Sequence, residues 1–203
     1  MAIAEREIAP PAQKRLYTED EYLTLEEQAG ERSEYIHGRI CPLSGGTDDH
    51  AVIPMSLGAE LRAALRGRGC RVMSSDIKVY TAGEMYYPDV TVVCGPRQYR
   101  GGNRTVITNP ILIGEVLSPT TERNDRGRKL RDYITVESLM VYLLVSQDVP
   151  RVEQFSRAED GRWNYGMVTG MESVLDIPAL SVSLNLADIY DQIEFVRGAD
   201  DES

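Results

Sequence analysis

The chain has few cysteines and no long apolar run, and each of these shortages excludes some classes of protein. Its 203 residues include three cysteines, Cys41, Cys70 and Cys94, with no Cys-x-x-Cys spacing and one thiol left over. That pattern indicates neither a disulfide framework nor a zinc site. We therefore interpret the cysteines as small buried side chains in a reducing compartment. No stretch reaches the roughly 18 apolar residues of a membrane span, so we expect a cytoplasmic protein.

Internal repeats and low-complexity tracts are also missing. A chain of this length fits one domain with room for a sizeable core. We expect residues 1–16 to form a flexible lead-in, residues 17–196 to form the single domain, and residues 197–203 to form an acidic disordered tail.

Positive charge is scarce overall but concentrated in the middle of the chain. The net charge of −10 argues against a protein that coats DNA. Residues 60–131, however, hold 13 basic and 7 acidic side chains, whereas residues 132–203 hold 4 and 14. A basic face suits an anionic substrate. A solvated mixed surface is the alternative interpretation.

The periodicity predicts a mixed α/β (α+β) domain with a central mixed β-sheet flanked by helices. A capping box at Thr18 opens a first helix that ends near Ala29. A second helix runs from a cap at Asp48-Asp49 to Gly67, with Pro54 tolerable only near its first turn. The other predicted elements are a strand over 33–40 that bends at His37-Gly38, strands near 71–80, 86–94, 111–117 and 140–145, an arginine-rich helix over 122–134, and hairpin strands near 150–156 and 162–169.

Two of the predicted apolar strands are each interrupted by one carboxylate. Asp89 interrupts the stretch 86–93, and Glu115 interrupts the stretch 111–117. A buried acid is costly unless a charge partner or a metal replaces its lost hydration. Two such acids indicate a shared cation, as in a metal-dependent hydrolase. Alternatively, Asp89 is a bend residue and Glu115 is a member of a buried salt bridge with an arginine.

These residues resemble the Uma-type family of predicted bacterial endonucleases, formerly a domain of unknown function with the restriction endonuclease-like, PD-(D/E)xK fold. The resemblance covers residues 17–193. It lies in Pro88-Asp89, in the run Glu115-Val116-Leu117-Ser118-Pro119-Thr120-Thr121, and in Asp125 with Lys129. The segment 33–38 matches the family only at Glu34, Ile36 and Gly38, and the strand 141–146 lacks the tryptophan and final acid that are usual in the family.

The resemblance implies a divalent-metal-dependent endonuclease that hydrolyses phosphodiester bonds in DNA. Asp89 and Glu115 would be the principal metal ligands, with the carbonyl of Val116 joining them. Magnesium suits such an oxygen-only site, and manganese is the expected substitute.

The resemblance also implies a catalytic lysine and a further acid. The motif's lysine position is occupied by Leu117, so Lys129 on the next helix is the expected substitute, orienting the attacking water and stabilising charge on the phosphate. Glu34 would hold a water of the metal or a second cation. Alternatively, Lys129 forms only a surface pair with Asp125, and Glu34 is a solvated strand residue.

The remaining charged candidates have weaker signals. His50 matches a histidine common at this place in the family, but it could be a cap or a core neighbour. His37 lies at a turn and is expected to do nothing chemical. The arginines of the helix over 122–134 are Arg123, Arg126, Arg128 and Arg131. They spread around the helix, so we expect only some of them to face a phosphate backbone and most to be solvated.

Three functions therefore stay open at this stage. The leading interpretation is an endonuclease acting on DNA, which could be a homodimer because nucleases of this fold often cut duplexes as two-fold dimers. The second is a catalytically weak or inactive member that binds nucleic acid or protein. The third is a metal-dependent phosphohydrolase of small substrates.

Overall fold

The computed structural model describes residues 15–43 and 45–195. The predicted acidic tail and nearly all of the predicted lead-in lie outside these residues. No helix in the described ranges is both long and apolar enough to cross a membrane.

The described chain folds into two main sheets, a two-stranded ribbon and several helices. The helices are α1 (Glu19–Gln28), α2 (Asp48–Ala64), α3 (Glu122–Asn124), α4 (Leu130–Tyr133) and α5 (Leu186–Ile189), and a π-helical segment (Asp125–Lys129) joins α3 to α4. The strands are β1 (Ser33–Ile36), β2 (Arg39–Pro42), β3 (Cys70–Ser74), β4 (Lys78–Tyr80), β5 (Met85–Tyr86), β6 (Val90–Cys94), β7 (Val106–Ile107), β8 (Leu112–Leu117), β9 (Val141–Ser146), β10 (Arg151–Arg157), β11 (Trp163–Thr169), β12 (Val174–Ile177) and β13 (Val182–Asn185). Short 3₁₀ turns lie at Arg100–Gly102 and Pro178–Leu180.

The larger sheet is mixed, which confirms the predicted fold class. Its six strands run in the order β11-β10-β9-β8-β6-β3, and only the central β8–β9 pair is parallel. A second sheet has the order β2-β1-β5-β4-β7, and β12 pairs with β13 in a separate ribbon. The predicted hairpin around Asp160-Gly161 is confirmed as β10 and β11.

Both faces of the central strands are buried, as the continuous apolar runs predict. On β8, Leu112 and Val116 belong to a core shared with α2, whereas Ile113 and Leu117 belong to a second core with Tyr142 of β9. Alternation along the strand therefore places Glu115 on the same side as Ile113 and Leu117.

Helices α1 and α2 begin where local hydrogen bonds satisfy their first backbone N–H groups. The capping box of α1 is confirmed: Thr18 Oγ1 accepts from the Glu21 N–H (3.2 Å), and Glu21 Oε2 accepts from the Thr18 N–H (2.9 Å). The cap of α2 is Thr47 rather than Asp48-Asp49, because Thr47 Oγ1 accepts from the His50 N–H. Pro54 is the seventh residue of α2, beyond the first turn where we expected it.

Two predicted long strands are each divided between the two sheets. The strand expected near 71–80 is β3 in the larger sheet and β4 in the smaller one, and the strand expected near 86–94 is β5 and β6. Apolar periodicity does not reveal the second transfer, because β5 and β6 are both buried. Pro88, which cannot donate a ladder hydrogen bond, lies at the second transfer.

The interpretation of all three cysteines as thiols was wrong. Cys70 and Cys94 face each other on β3 and β6 and form a disulfide, while Cys41 is free. The pairing depends on strand register, which the spacing of 24 residues in the sequence did not reveal.

Candidate active site

A cleft of about 810 Å³ lies where β6 begins and β8 ends. These strands are antiparallel neighbours with Val90 opposite Gly114, so Asp89 and Glu115 follow as the next opposed positions. Both carboxylates line the cleft. The structure thus brings the two principal predicted residues to one place, as their positions in adjacent strands predicted.

Asp89 lies in a bend just before β6, so the interpretation as a bend residue is also correct in geometry. Its Oδ2 accepts a hydrogen bond from the Val116 N–H at 2.7 Å, which fastens the start of β6 to the end of β8. Burial raises the pKa of Asp89 above its ordinary value, and the Val116 N–H acts in the opposite direction.

Glu115 lies within β8 and is only 3% exposed. Its Oε1 accepts hydrogen bonds from Lys129 Nζ (3.0 Å) and from the Tyr133 hydroxyl (2.9 Å). Burial raises the pKa of Glu115 well above its ordinary value, although Lys129 partly opposes this shift. The buried-pair alternative is thus met in geometry, with lysine rather than arginine as the partner.

Lys129 is buried beside three carboxylates and is not a surface residue. Besides Glu115, its Nζ lies 3.3 Å from Asp125 Oδ1 and 3.4 Å from Glu34 Oε1. Burial alone would lower the pKa of Lys129, but these acids outweigh burial and hold it well above its ordinary value. The alternative of a solvated surface pair with Asp125 was therefore wrong.

Asp125 is 1% exposed and lines the cleft. Its Oδ1 lies near Lys129 Nζ, yet among the described residues it has no hydrogen-bond partner of suitable geometry. The Asp125 carbonyl accepts both the Tyr142 hydroxyl and the N–H of Leu130, five residues on. This π-type bond belongs to a turn of the kind often found at functional sites.

Glu34 is 7% exposed, so it is not a solvated strand residue. Its Oε1 accepts from the Tyr87 N–H at 3.2 Å and lies near Lys129 Nζ. In the part of the chain that the structure describes, Glu34 is not among the residues that line the cleft. It is therefore placed to act through Lys129 rather than on a ligand directly.

Acids outnumber bases in the group that we name the cleft cluster: Asp89, Glu115, Asp125, Glu34 and Lys129. All but Asp89 are buried, and Asp89 is partly buried. The cluster holds four carboxylates and one ammonium group, so it has room for more positive charge. Across residues 15–43 and 45–195, however, no three His, Cys, Asp or Glu side chains are arranged to hold one metal ion together. A cation here would need backbone carbonyl and water ligands besides two carboxylates, which suits magnesium.

His50 lies in the first turn of α2 and contacts Val116, whose carbonyl is the third predicted metal ligand. Its Nε2–H donates to the Val116 carbonyl at 3.0 Å, which assigns the proton to Nε2, and Nε2 lies 3.9 Å from Asp89 Oδ2. A Cβ at Gly46 would come within 2.9 Å of the ring's Nδ1, so the ring is held from both sides. The Val116 carbonyl keeps a second lone pair for another ligand.

The other histidine and Arg126 have partners outside the cleft. His37 is an exposed turn residue with φ of 50° and contacts Glu84, away from the cleft, as expected. Arg126 donates to Glu122 and, through both terminal nitrogens, to Glu153, so it is not free for a phosphate.

The sequence interpretation missed the tyrosines that support the site. Tyr133 donates to Glu115, Tyr142 to the Asp125 carbonyl, and the Tyr87 N–H to Glu34. A signal for Tyr133 was available, because Asp125, Lys129 and Tyr133 are spaced by four and share one buried helix face. Tyr87 and Tyr142 depend on contacts between strands and had no comparable signal.

The solved structures define the class of this fold. A crystal structure titled as a putative nuclease belonging to DUF820, from Anabaena variabilis, is similar with a TM-score of 0.69 at 18% identity. The match covers 84% of this chain and 96% of that chain. The fold is thus the restriction endonuclease-like one that the sequence predicted.

The family model described as "Uma2: Putative restriction endonuclease" matches residues 19–187, so the chain belongs to the Uma2 family. Two similar proteins come from Synechocystis, and both are described as uncharacterized. Protein slr1290 is 38% identical over 146 residues, covering 71% of this chain and 76% of its own length. Protein sll1609 is 32% identical over 173 residues, covering 84% of this chain and 98% of its own length.

Proposed function

We propose that the protein is a divalent-metal-dependent endonuclease that hydrolyses phosphodiester bonds in DNA, with the cleft as its active site. The observation that carries the proposal is the cleft cluster, in which three buried carboxylates contact one lysine and the partly buried Asp89 carboxylate lies opposite Glu115. Such an excess of buried negative charge is costly in an ordinary core. It is useful where a cation has to be held.

The donors present fit magnesium, with manganese as a substitute. Asp89, Glu115 and the Val116 carbonyl would hold the ion. When bound, the ion would supply Lewis acidity, which makes water a better nucleophile and offsets charge that develops on phosphate oxygens.

Lys129 would act on the phosphate and the attacking water rather than on the ion, because an ammonium group has no lone pair to donate. Glu115, Asp125 and Glu34 hold the ammonium group in place and keep it charged. A preorganised charge of this kind needs no rearrangement as the reaction proceeds.

Cleavage of supercoiled plasmid DNA, with magnesium and with chelator, tests the proposal. We expect nicking with magnesium only, and we expect Asp89→Ala and Glu115→Ala to lose metal binding and cleavage together. Arg162→Ala is the matched control, because Arg162 is exposed and pairs with Asp160 near a hairpin turn. Equal cleavage in chelator would contradict the proposal, as would full activity of Asp89→Ala.

A second candidate is a catalytically weak or inactive protein that binds nucleic acid or a partner protein. Lys129 favours it, because one ammonium group already lies within 3.4 Å of three carboxylates and partly compensates them. Binding of plasmid without any nicking at any magnesium concentration would support this candidate. Hydrolysis of a small phosphodiester but not of plasmid would favour a small-substrate phosphohydrolase.

We also propose that the protein pairs as a homodimer. A two-fold dimer would present two clefts to the two strands of a duplex. Light scattering on the eluting protein measures this directly, and a monomer at working concentration would contradict it.

A further inference from the structure

The segment between the two cleft acids has an unusual charge. Residues 90–114 contain no Asp or Glu although the whole chain has 32, and they contain Arg97, Arg100 and Arg104. All three arginines lie in the connection from β6 to β7, beyond the opposite end of β6 from Asp89. At about 3.3 Å per residue, the five residues of β6 separate this connection from the cleft acid by roughly 17 Å.

Hydrogen bonds hold this connection in one conformation. Asn109 Oδ1 accepts from the Gln98 N–H (2.8 Å), and its Nδ2 donates to the Pro96 carbonyl (2.9 Å). Asn103 Oδ1 accepts from both the N–H and the hydroxyl of Thr105. The arginines are therefore presented on a fixed backbone, which lowers the entropic cost of binding a ligand.

Two of the arginines flank one aromatic ring. The guanidinium carbons of Arg97 and Arg104 lie 5.9 and 6.0 Å from the centre of the Tyr99 ring. Both groups lie over the ring at the outer limit of a cation–π contact, so neither is stacked closely on it. Arg104 is exposed, and Arg97 and Tyr99 are partly exposed.

Neither flanking arginine has an acidic partner in the part of the chain that the structure describes. Arg100, between them in sequence, differs: it donates twice to Glu19 and is neutralised. Two like charges beside one ring, with no counter-charge in a chain of net charge −10, are complementary to a polyanion that also carries aromatic rings.

We propose that Arg97, Tyr99 and Arg104 form a platform for single-stranded DNA, separate from the cleft. The two guanidinium groups bind phosphates, and a base stacks on the Tyr99 ring. The groups are no more than about 12 Å apart, given their distances of 5.9 and 6.0 Å from the ring centre, which suits one or two successive nucleotides. The choice of DNA rests on the proposed function.

Fluorescence anisotropy of a labelled single-stranded DNA oligonucleotide, titrated with full-length protein in chelator, tests the platform without cleavage. The double variant Arg97→Gln/Arg104→Gln should bind more weakly. The slope of log affinity against log salt should become shallower by about 1.4, because each single-strand phosphate contact contributes about 0.7. Tyr99→Ala should weaken binding at least about fivefold, and Tyr99→Phe should retain it.

The matched control is Arg62→Gln/Arg66→Gln, which removes two exposed arginines near the end of α2; it should leave the salt slope almost unchanged. Equal weakening by the control would overturn the platform, as would normal binding by Tyr99→Ala or no binding by the wild type. The plasmid assay is independent of these results. If the platform binds DNA but no plasmid is cleaved, the nuclease proposal is refuted and the platform proposal stands. If plasmid is cleaved but the platform does not bind DNA, the nuclease proposal stands and the platform proposal is refuted.

Discussion

The two sides of the helix that follows β8 hold ion clusters that differ in their ratio of acids to bases. On one side, Asp125 and Lys129 belong to the cleft cluster, where carboxylates outnumber the single ammonium group. On the other side, Arg126 donates to Glu122 and Glu153, and Arg151 lies 3.9 Å from Glu153. We name this second group the balanced cluster. Adjacent residues of one helix thus serve two clusters.

The pKa shifts express the same contrast. Hydrogen bonds from Arg126 hold the pKa of Glu153 below its ordinary value, so that acid is stable as a carboxylate. Burial raises the pKa of Glu115 well above its ordinary value. Lys129, which is shared among several acids, only partly opposes this shift. The balanced cluster thus has two acids for two arginines, although Arg151 Nε makes no hydrogen bond among the described residues. The cleft cluster has more acids than bases and would gain from another cation.

The largest effect should follow the loss of the cleft lysine. Lys129→Met leaves buried carboxylates without their ammonium group and should lower the free energy of unfolding in chelator by about 3–5 kcal/mol. Magnesium should restore part of this loss, because binding to the folded state stabilises it. Urea denaturation with and without magnesium measures both effects.

The same measurement on Arg126→Met sharpens the comparison. That variant should also be destabilised, but magnesium should not restore its stability, because the balanced cluster has no excess of acids. Equal recovery of both variants would mean that the two clusters do not differ in the way proposed.

Next in size is the effect on catalysis. Lys129→Ala should lower plasmid cleavage by about two orders of magnitude or more, the scale of one lost transition-state contact. Calorimetric metal titration of the same preparation should show magnesium or manganese binding nearly intact. Full cleavage by this variant would reduce Lys129 to a buried partner of Asp125 and Glu115.

A smaller effect, of opposite sign, is expected at Asp89. Asp89→Asn removes one repelling charge and can keep the hydrogen bond from the Val116 N–H, so stability in chelator should rise by about 0.5–2 kcal/mol. The gain from added magnesium should disappear. Melting curves in chelator and in magnesium check this, and an unchanged magnesium response would place the metal elsewhere.

The smallest effect is the dependence of stability on pH. Asp89 and Glu115 have raised pKa values, so the metal-free folded state binds more protons than the unfolded state, and their contribution falls as pH rises above their ordinary values. Glu153 acts oppositely, because its lowered pKa adds stability that is lost as pH falls through the folded value. In denaturation series in chelator, Asp89→Asn should reduce the first dependence, because Glu115 still contributes to it, and Glu153→Gln should remove the contribution of Glu153.

The sequence predicted the centre of the site better than its surroundings. Asp89 and Glu115 were recognisable because each interrupts an apolar run, and such an interruption is visible in the residue order alone. The division of 86–94 between two sheets was not recognisable, since the residues are buried in both sheets. The environment of Lys129 depends on Glu34, which lies in β1 of the smaller sheet, 95 positions earlier in the chain.

Register between strands was the other missing information. The Cys70–Cys94 disulfide and the contact of His50 with Val116 each join segments whose alignment no local pattern specifies. The capping box of α1, in contrast, depends on residues three apart and was predicted with its correct residues. Local hydrogen bonding is therefore more predictable here than packing between sheets, although the cap of α2 is Thr47 and not the predicted Asp48-Asp49.

Anomalous diffraction from crystals soaked in manganese tests the central claim most directly. We predict a single strong peak between the carboxylates of Asp89 and Glu115, within bonding distance of the Val116 carbonyl, with Lys129 still beside Glu115. No peak at saturating manganese, or a peak only outside the cleft, would contradict the account and leave the cleft cluster as a structural feature of the fold.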